Sequence, residues 1–330
     1  MSEVLFAQKD GLFLEALKEE VGKVFSSGDK VAIKLHMGEP GGEYFLKPKL
    51  VKRVVDVLIE IGAKPFLFDS PVRYNSRRNT VKGYHGVAKE NGFTKDFLGC
   101  PVRISEDFVT VKEPHLEIQV CKELAEADGV LVLSHVKGHS CSGFGGAIKN
   151  LGMGALTKKS KGDIHEGGKP EIVGKCAHCG KCKIVCPQSA ITYEEDIPKF
   201  DFEKCVGCSR CIVACKAGAL SPVLKTFDAL LAEGADAAVR TFKKAYYVNV
   251  IRDISQFCDC TRRENRIVLE DIGILMGRNI VAVDKASHDL IMKKAGKDLF
   301  KEINHKSPFD QIKEAEKLGM GKMSYTLRKV

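Results

Sequence analysis

The sequence predicts an α/β fold, in which a mostly parallel sheet carries helices on both faces and a cysteine-rich module is inserted. Apolar strand-like runs alternate with helix-like segments before residue 134, and the alternation resumes after residue 221. Such alternation is typical of parallel sheets covered on both sides by helices. Between the two parts lie eight regularly spaced cysteines, so we expect the module to interrupt one fold.

In the first part, the spacing of apolar residues and the positions of Pro and Gly predict the helices and strands. Its predicted elements are a helix over Phe13–Phe25, a strand at Lys30–Leu35, a helix from Pro48 to Gly62, and strands at Pro65–Phe68, Pro101–Ile104 and Gly129–Leu133.

The second part continues the same pattern. Its predicted elements are a helix over Leu224–Lys243, strands at Tyr246–Ile251 and Ile280–Val283, and a helix over Asp284–Lys294 that Asp284 would cap. We therefore predict one α/β domain made of residues 1–170 and 222–330, with residues 171–221 inserted. Two separate α/β domains flanking the module is the alternative, because each part is long enough to be a domain.

The module contains two Cys-x-x-Cys-x-x-Cys-x-x-x-Cys runs. This spacing suits two [4Fe–4S] clusters, in which the fourth cysteine of each run binds the other cluster. The predicted ligand sets are Cys176, Cys179, Cys182 and Cys215 for one cluster, and Cys205, Cys208, Cys211 and Cys186 for the second. A zinc ribbon would leave the last cysteine of each run unexplained. Residues 171–221 resemble a bacterial-type two-cluster ferredoxin.

Composition indicates a globular protein, with 44% hydrophobic residues and a net charge of +9. Because charges of both signs are mixed along the chain, we expect a solvated surface and no nucleic-acid partner; a docking face for an acidic electron-transfer protein is the alternative. No signal peptide or membrane segment is visible, which predicts a cytoplasmic, reducing and anaerobic location and no membrane partner.

A second group of polar residues follows the strand at Gly129–Leu133. The segment 134–154 is rich in glycine and carries His135, Lys137, His139 and Lys149; Lys34, His36 and His165 are similarly placed. Open α/β sheets bind ligands beyond the carboxyl ends of their strands. We therefore predict a site for an anionic or carbonyl-bearing substrate, with Lys34, His36, His139, Lys149 and His165 as catalytic candidates. A glycine-built crossover without a ligand is the alternative.

Cys258 and Cys260 form a Cys-x-Cys pair after the strand at Tyr246–Ile251. In a reducing compartment a disulfide is not expected here. The pair could bind a further metal ion together with His135, or could be two ordinary thiols.

Five segments of the sequence are distinctive: VAIKLHMGE, GHSCSGFGGAIKNLGMG, the cysteine block, CDC and DIGILMGRNIVAVDKASHDL. Together they resemble the "uncharacterized Fe-S center protein" family, a domain-of-unknown-function group. The resemblance implies two [4Fe–4S] clusters joined to an α/β domain. We expect electron transfer between the clusters and a site on that domain, with a ferredoxin or an oxidoreductase as redox partner and a small anionic substrate. A non-enzymatic electron carrier, acting as a docking subunit of a larger complex, is the alternative.

Overall fold

The computed structural model describes residues 1–259 and 265–330. In these residues the strands are β1 (Ser2–Ala7), β2 (Lys30–Lys34), β3 (Lys64–Asp69), β4 (Val102–Ile104), β5 (Phe108–Lys112), β6 (Glu117–Cys121), β7 (Gly129–His135), β8 (Lys137–His139), β9 (Gly143–Gly145), β10 (Pro170–Ile172), β11 (Ile191–Glu194), β12 (Ile197–Phe200), β13 (Leu220–Pro222), β14 (Ala245–Ile251), β15 (Ile254–Ser255), β16 (Ile267–Leu269), β17 (Gly273–Gly277) and β18 (Tyr325–Lys329).

The helices of the same residues connect these strands. They are α1 (Asp10–Gly22), α2 (Pro48–Glu60), α3 (Val81–Glu90), α4 (Lys95–Leu98), α5 (Lys122–Ala125), α6 (Ala147–Gly154), α7 (Lys158–Gly167), α8 (Lys181–Ile184), α9 (Arg210–Ala214), α10 (Phe227–Thr241), α11 (Ile280–Ala295), α12 (Leu299–Asn304) and α13 (Phe309–Lys317). No helix of the described chain is both long enough and apolar enough to cross a membrane.

One mixed sheet of eight strands forms the centre of the fold, in the order β18-β1-β17-β14-β7-β2-β3-β4. The run from β14 to β4 is parallel throughout, while β17 pairs antiparallel with both of its neighbours. The predicted α/β fold with a mostly parallel sheet is therefore confirmed. Strands from before and after the cysteine module pair in this same sheet, since β14 lies directly beside β7.

The two faces of the sheet bury separate cores because successive side chains of a strand point to opposite faces. Val31 and Ile33 pack in the core that contains residues of α1, α2 and α3. Ala32, between them, packs in the other core, which contains residues of α6, α10 and α11. Helices thus cover both faces of the sheet. In the sheet β2 lies between β3, the next strand along the chain, and β7, which comes much later.

Two predicted elements differ from the structure. Ile280–Val283 was expected as a strand, but it is the first turn of α11, and the strand is the earlier segment β17. Asn279 caps this helix, since its side chain accepts a hydrogen bond from the amide of Ala282 at 3.1 Å. A short apolar run fits a buried helix as well as a strand, which explains the error.

Asp284 has a different role from the predicted cap of its own helix. It lies inside α11, fully buried, and its carboxylate accepts hydrogen bonds from the amides of Ala147 at 2.7 Å and Ile148 at 2.9 Å. It therefore caps α6, which forms the last eight residues of the glycine-rich segment 134–154. Gly146 is required at this point, because a Cβ there would overlap the Asp284 carboxylate.

The cysteine-containing segment leaves and re-enters the fold at one place. β10 pairs antiparallel with β13, so that Pro170 lies opposite Pro222. Between them lie the short hairpin of β11 and β12 and the two short helices α8 and α9. The ends of the segment are thus adjacent, as an insertion requires.

The first prediction concerns the independence of this segment. Replacing residues 171–221 by a short Gly/Ser linker should leave an α/β protein that unfolds in one cooperative transition, because closing two adjacent chain ends costs little entropy. Calorimetry and circular dichroism would measure it. Two separate transitions, one for residues 1–165 and one for 222–330, would contradict a single α/β domain.

Candidate functional site

A cavity of about 680 Å³ lies at the carboxyl ends of the parallel strands β2, β3 and β7. This is the edge at which open α/β sheets bind ligands. Among the site residues predicted from the sequence, those that line this cavity are Lys34, His36, His135, His139, Lys149, His165, Cys205 and Cys258. The described structure therefore brings together residues that are more than two hundred positions apart in the chain.

A buried ion pair joins two strand ends at the base of the cavity. Lys34, at the end of β2, lies 3.0 Å from the carboxylate of Asp69, at the end of β3, and both side chains are almost fully buried. The Lys34 ammonium also donates to Asn150 Oδ1 at 2.7 Å, which links the pair to α6. Burial alone would raise the pKa of Asp69, but Lys34 and Arg78 outweigh it and lower the pKa to about 2.

Arg78 is a central residue of the site that the sequence did not reveal. It lies in a short 3₁₀ turn, is 1% exposed, and donates to Glu39 Oε1 at 2.6 Å and to the Tyr84 hydroxyl at 3.0 Å. It also donates to His36 Nε2 at 2.7 Å. A guanidinium can only donate, so Nε2 accepts this bond, and the amide of Gly38 donates to Nδ1 at 3.0 Å; both ring nitrogens of His36 therefore face donors. Burial and then Arg78 lower the pKa of His36 well below its usual value.

Lys137, Asp259 and His135 form a second buried polar group. The Lys137 ammonium donates to the carbonyl of Tyr44 at 2.7 Å and forms an ion pair with Asp259. His135 donates from Nε2 to the carbonyl of Arg252 at 2.6 Å, so its Nδ1 accepts from Lys137. Burial would raise the pKa of Asp259, but Lys137 and His135 hold it well below its usual value.

The expected metal site is only partly described. His135 and Cys258 line the same cavity, but Cys260 lies outside the described residues. Cys258 is buried and disulfide-bonded, unlike the expected free thiol, so a thiolate ligand would first require reduction. Within residues 1–259 and 265–330, no three His, Cys, Asp or Glu side chains are grouped to hold a single metal ion.

His139 and His165 are held in opposite tautomers. His139 Nδ1 accepts from the amides of Cys141 and Ser142, both at 3.2 Å, so the neutral ring carries its proton on Nε2. His165 donates from Nδ1 to the carbonyl of Val206 at 2.7 Å, which leaves Nε2 unprotonated. Burial lowers the pKa of both rings, so both are neutral near pH 7. His165 can therefore accept a proton at the cavity, whereas His139 can donate a hydrogen bond there from Nε2.

Lys149 and Lys161 differ from the paired lysines of the cavity. Lys149, on α6, has no hydrogen bond or ion pair with any described residue. Lys161, on α7, donates to the Ser70 hydroxyl at 2.8 Å and the Pro71 carbonyl at 2.5 Å, which are neutral acceptors. Burial lowers the pKa of each lysine to about 8, and Asp69 opposes the shift at both. Lys161 was not a predicted site residue.

The cysteines of the module divide by position. Four of them, here called the inner cysteine set, surround one small cavity: Cys186, Cys205, Cys208 and Cys211. The other four are called the outer cysteine set: Cys176, Cys179, Cys182 and Cys215. Cys179 is exposed, and Cys182 Sγ lies 3.0 Å from the hydroxyl of Tyr193.

The inner cysteine set adjoins the large cavity. Cys205 lines both cavities, and its neighbour Val206 accepts the hydrogen bond from His165. Arg210 lies beside this set without a carboxylate partner among the described residues, and its buried Nε has no hydrogen-bond acceptor there. An uncompensated buried cation requires negative charge nearby, which deprotonated sulfurs would supply.

The second prediction tests the Lys34–Asp69 ion pair. Asp69→Asn should lower the free energy of unfolding at pH 7 by about 3 kcal/mol, because it leaves a buried ammonium without its counter-charge. Since the folded pKa of Asp69 is depressed to about 2, the wild-type advantage is complete above the unfolded value of 3.8 and is lost as the pH falls through 2. Urea unfolding at pH 7 and at low pH would measure both.

The surface pair of Lys159 and Asp163 provides the matched control for that experiment. Asp163→Asn should cost less than about 1 kcal/mol, because solvent screens exposed ion pairs. Equal losses for the two substitutions would contradict the structural importance of the buried pair.

Comparison with known proteins gives one partial sequence match and distant structural similarities. The thylakoid-associated protein sll1697 of Synechocystis sp. is 29% identical over 157 residues, which cover 45% of this chain and 46% of that protein. The match therefore spans about half of the curated relative.

Among solved structures, a protein from Thermotoga maritima has a TM-score of 0.48 and 11% identity, over 88% of this chain and 59% of that one. The lactate racemase apoprotein from Thermoanaerobacterium thermosaccharolyticum has a TM-score of 0.32 and 10% identity, over 77% and 51%.

A family match covers most of the chain. Residues 31–289 match the family described as a domain of unknown function, DUF362, and include the cavity residues and the whole cysteine module. The protein therefore belongs to the DUF362 family.

Proposed function

We propose that this protein is a ferredoxin-linked oxidoreductase that passes electrons between two [4Fe–4S] clusters and a small anionic substrate in the large cavity. The observation that carries the proposal is the position of Cys205. This residue belongs to the inner cysteine set and also lines the cavity that contains Lys149 and His36. A cluster held there would lie at the wall of the substrate site.

The residues present fit two clusters with crossed ligation. The inner cysteine set contains three cysteines of the second run and Cys186 of the first, which is the set expected for a two-cluster ferredoxin. Cys182 and Cys215 of the outer set pack with Ile191 and Leu220 in a small apolar core. Apolar surroundings and limited solvent access tune the potential of such clusters. When bound, the clusters would supply single electrons.

The cavity residues would bind the substrate and move protons. Lys149 would attract the negative charge of a substrate, because no described carboxylate neutralises its ammonium. The unprotonated Nε2 of His165 would accept a proton from the substrate, or return one to it, beside the Cys205 loop. His139 would donate a hydrogen bond from Nε2 to a polar substrate atom, and His36, held by Arg78, would line the site beside it.

The second candidate function is that of an electron carrier or docking subunit within a larger redox complex. Large apolar side chains of the module reach solvent near the outer cysteine set, with Ile184 79% exposed and Val213 54% exposed. Exposed apolar groups beside an electron-transfer centre are suited to contact with another protein. In this alternative the large cavity has no catalytic role.

The third prediction tests the crossed ligand sets. Wild-type protein purified without oxygen should contain about eight irons, and Cys215→Ala should lose the cluster of Cys176, Cys179 and Cys182 while keeping the inner one, with about four irons left. Iron analysis and electron paramagnetic resonance would measure both. Cys100→Ala, outside the module, is the control and should keep both clusters. Loss of the inner cluster in Cys215→Ala would contradict the crossed assignment.

The fourth prediction separates the enzyme from the carrier. Reduced wild-type protein should be re-oxidised by at least one member of a panel of small anions that carry a reducible group: oxo acids, unsaturated carboxylates and phosphorylated carbonyl compounds, each of which takes up two electrons and two protons. Lys149→Ala should slow this re-oxidation by about 100-fold, because it removes a positive charge that holds the substrate, while cluster absorption and reduction by dithionite stay unchanged. Visible absorbance under anaerobic conditions would follow the reaction.

Lys159→Ala is the matched control, because Lys159 lies at the surface on α7. It should re-oxidise at the wild-type rate. If no compound of the panel re-oxidises the clusters, or if Lys149→Ala reacts as fast as wild type, the carrier is the better description.

A further inference from the structure

The large cavity has an excess of buried positive charge. The charged side chains that line it are Lys34, Arg73, Arg78, Lys137, Lys149, Lys161, Lys169, Asp69, Glu166, Glu203 and Asp259. Glu39 adds one further negative charge through its ion pair with Arg78. With every group in its usual ionised form, these residues leave two positive charges unbalanced.

The unbalanced charges can be assigned to particular residues. Among the buried cations of the cavity, Lys34 pairs with Asp69, Lys137 with Asp259 and Arg78 with Glu39. Nearer the surface, Arg73 and Lys169 both pair with Glu166, and Glu203 supplies the second negative charge that balances them in the count. Lys149 and Lys161 remain, and neither forms an ion pair with a described residue.

Lys149 is positioned to present its amine to the cavity. It projects from α6, whose neighbouring residue Asn150 holds Lys34, and its aliphatic stem passes beside the backbone of Gly145. The first turn of α6 is fixed by the carboxylate of Asp284. The position of this amine is therefore set by buried contacts on the helix that carries it.

Lys161 is held by neutral groups of the two residues that follow Asp69. Its ammonium donates to the hydroxyl of Ser70, and Ser70 directly follows Asp69. The Ser70 hydroxyl is also bonded to the carbonyls of Gly154 and Leu156, which fixes its position. Hydroxyl and carbonyl oxygens orient the ammonium but leave its charge uncompensated.

We propose that the large cavity binds a small dianion, a phosphate monoester or a dicarboxylate, whose two negative charges lie at Lys149 and Lys161. This inference deepens the proposed function, because it names the class of the anionic substrate. Two buried ammonium groups that pair with no described carboxylate are costly, and a dianion would compensate both. A volume of about 680 Å³ is within the range of small-molecule sites.

The electrostatics of the two lysines agree with this geometry. Burial, with Lys34 and Arg78 nearby, lowers the pKa of each amine to about 8, while Asp69 faces both and Asp259 faces Lys149. Both amines are therefore mostly charged at pH 7 and lose their charge as the pH rises through about 8. Dianion affinity should fall over the same range.

The fifth prediction is a binding experiment. Isothermal titration calorimetry at pH 7, on anaerobic wild-type protein with oxidised clusters, would use methyl phosphate and succinate as dianions and dimethyl phosphate and acetate as monoanions. At least one dianion should bind, and at least 10-fold more tightly than its monoanionic counterpart. Lys149→Met and Lys161→Met should each weaken that binding by about 10- to 100-fold, since each removes a charge-assisted contact.

Lys159→Met on α7 is the matched control and should bind as wild type does. Circular dichroism would show that each variant is folded, and Lys149→Gln and Lys161→Gln would replace a methionine variant that is not. Equal affinities for dianions and monoanions, no binding of either dianion, or undiminished binding in both lysine variants would each overturn the proposal. If methyl phosphate binds and succinate does not, the ligand class is phosphate monoesters. If succinate binds and methyl phosphate does not, the ligand class is dicarboxylates.

The calorimetric result is independent of electron transfer. If a dianion binds as expected but no compound re-oxidises the clusters, the binding site stands and the oxidoreductase proposal fails. If the clusters are re-oxidised by a monoanion while no dianion binds, the oxidoreductase proposal stands and the dianion site fails.

Discussion

The buried ion pair between Lys34 and Asp69 is the interaction on which the arrangement of the site depends. It joins the carboxyl ends of the adjacent strands β2 and β3, and through Asn150 it fixes the position of α6. A charged pair in this position is stable only while both partners remain, because removing one leaves the other buried and unpaired. Gly154 permits this close packing, since a Cβ there would overlap the Lys34 ammonium.

The same pair explains how two lysines without an ion pair to any described residue can exist near it. Its two charges cancel, so the local excess among the described residues arises from Lys149 and Lys161. Asp69 attracts both amines without forming an ion pair with either. The carboxylate thus moderates the repulsion among three lysines and keeps the cavity positive. A structure evolved only for stability would be expected to place a carboxylate at each buried amine.

The sequence predicted the parallel strands β2, β3, β4, β7 and β14, but neither β1, β17 and β18 nor the site residues that lie in turns. Lys34, His36 and His135 could be placed because they lie at or just beyond the ends of apolar runs that were correctly taken as strands. Arg78 and Glu39 could not, because they lie in irregular segments whose positions are set by tertiary contacts rather than by periodicity. The strand expected at Ile280–Val283 failed because an apolar run of that length fits the interior of α11 equally well. Lys161 gave no signal, since a lysine in an amphipathic helix usually faces solvent.

The two cysteine sets lie at opposite ends of the proposed electron path. The outer cysteine set includes the exposed Cys179, while Cys205 of the inner set lines the large cavity. A redox partner could therefore approach the outer set without entering the cavity, and a substrate could enter without meeting the partner. The adjacent ends at Pro170 and Pro222 tie the module to the α/β domain, and the bond from His165 to Val206 fixes the inner set at the cavity wall. A segment held only at its two ends could rotate relative to the rest of the protein. This segment is also held at the cavity, by the hydrogen bond from His165 to Val206.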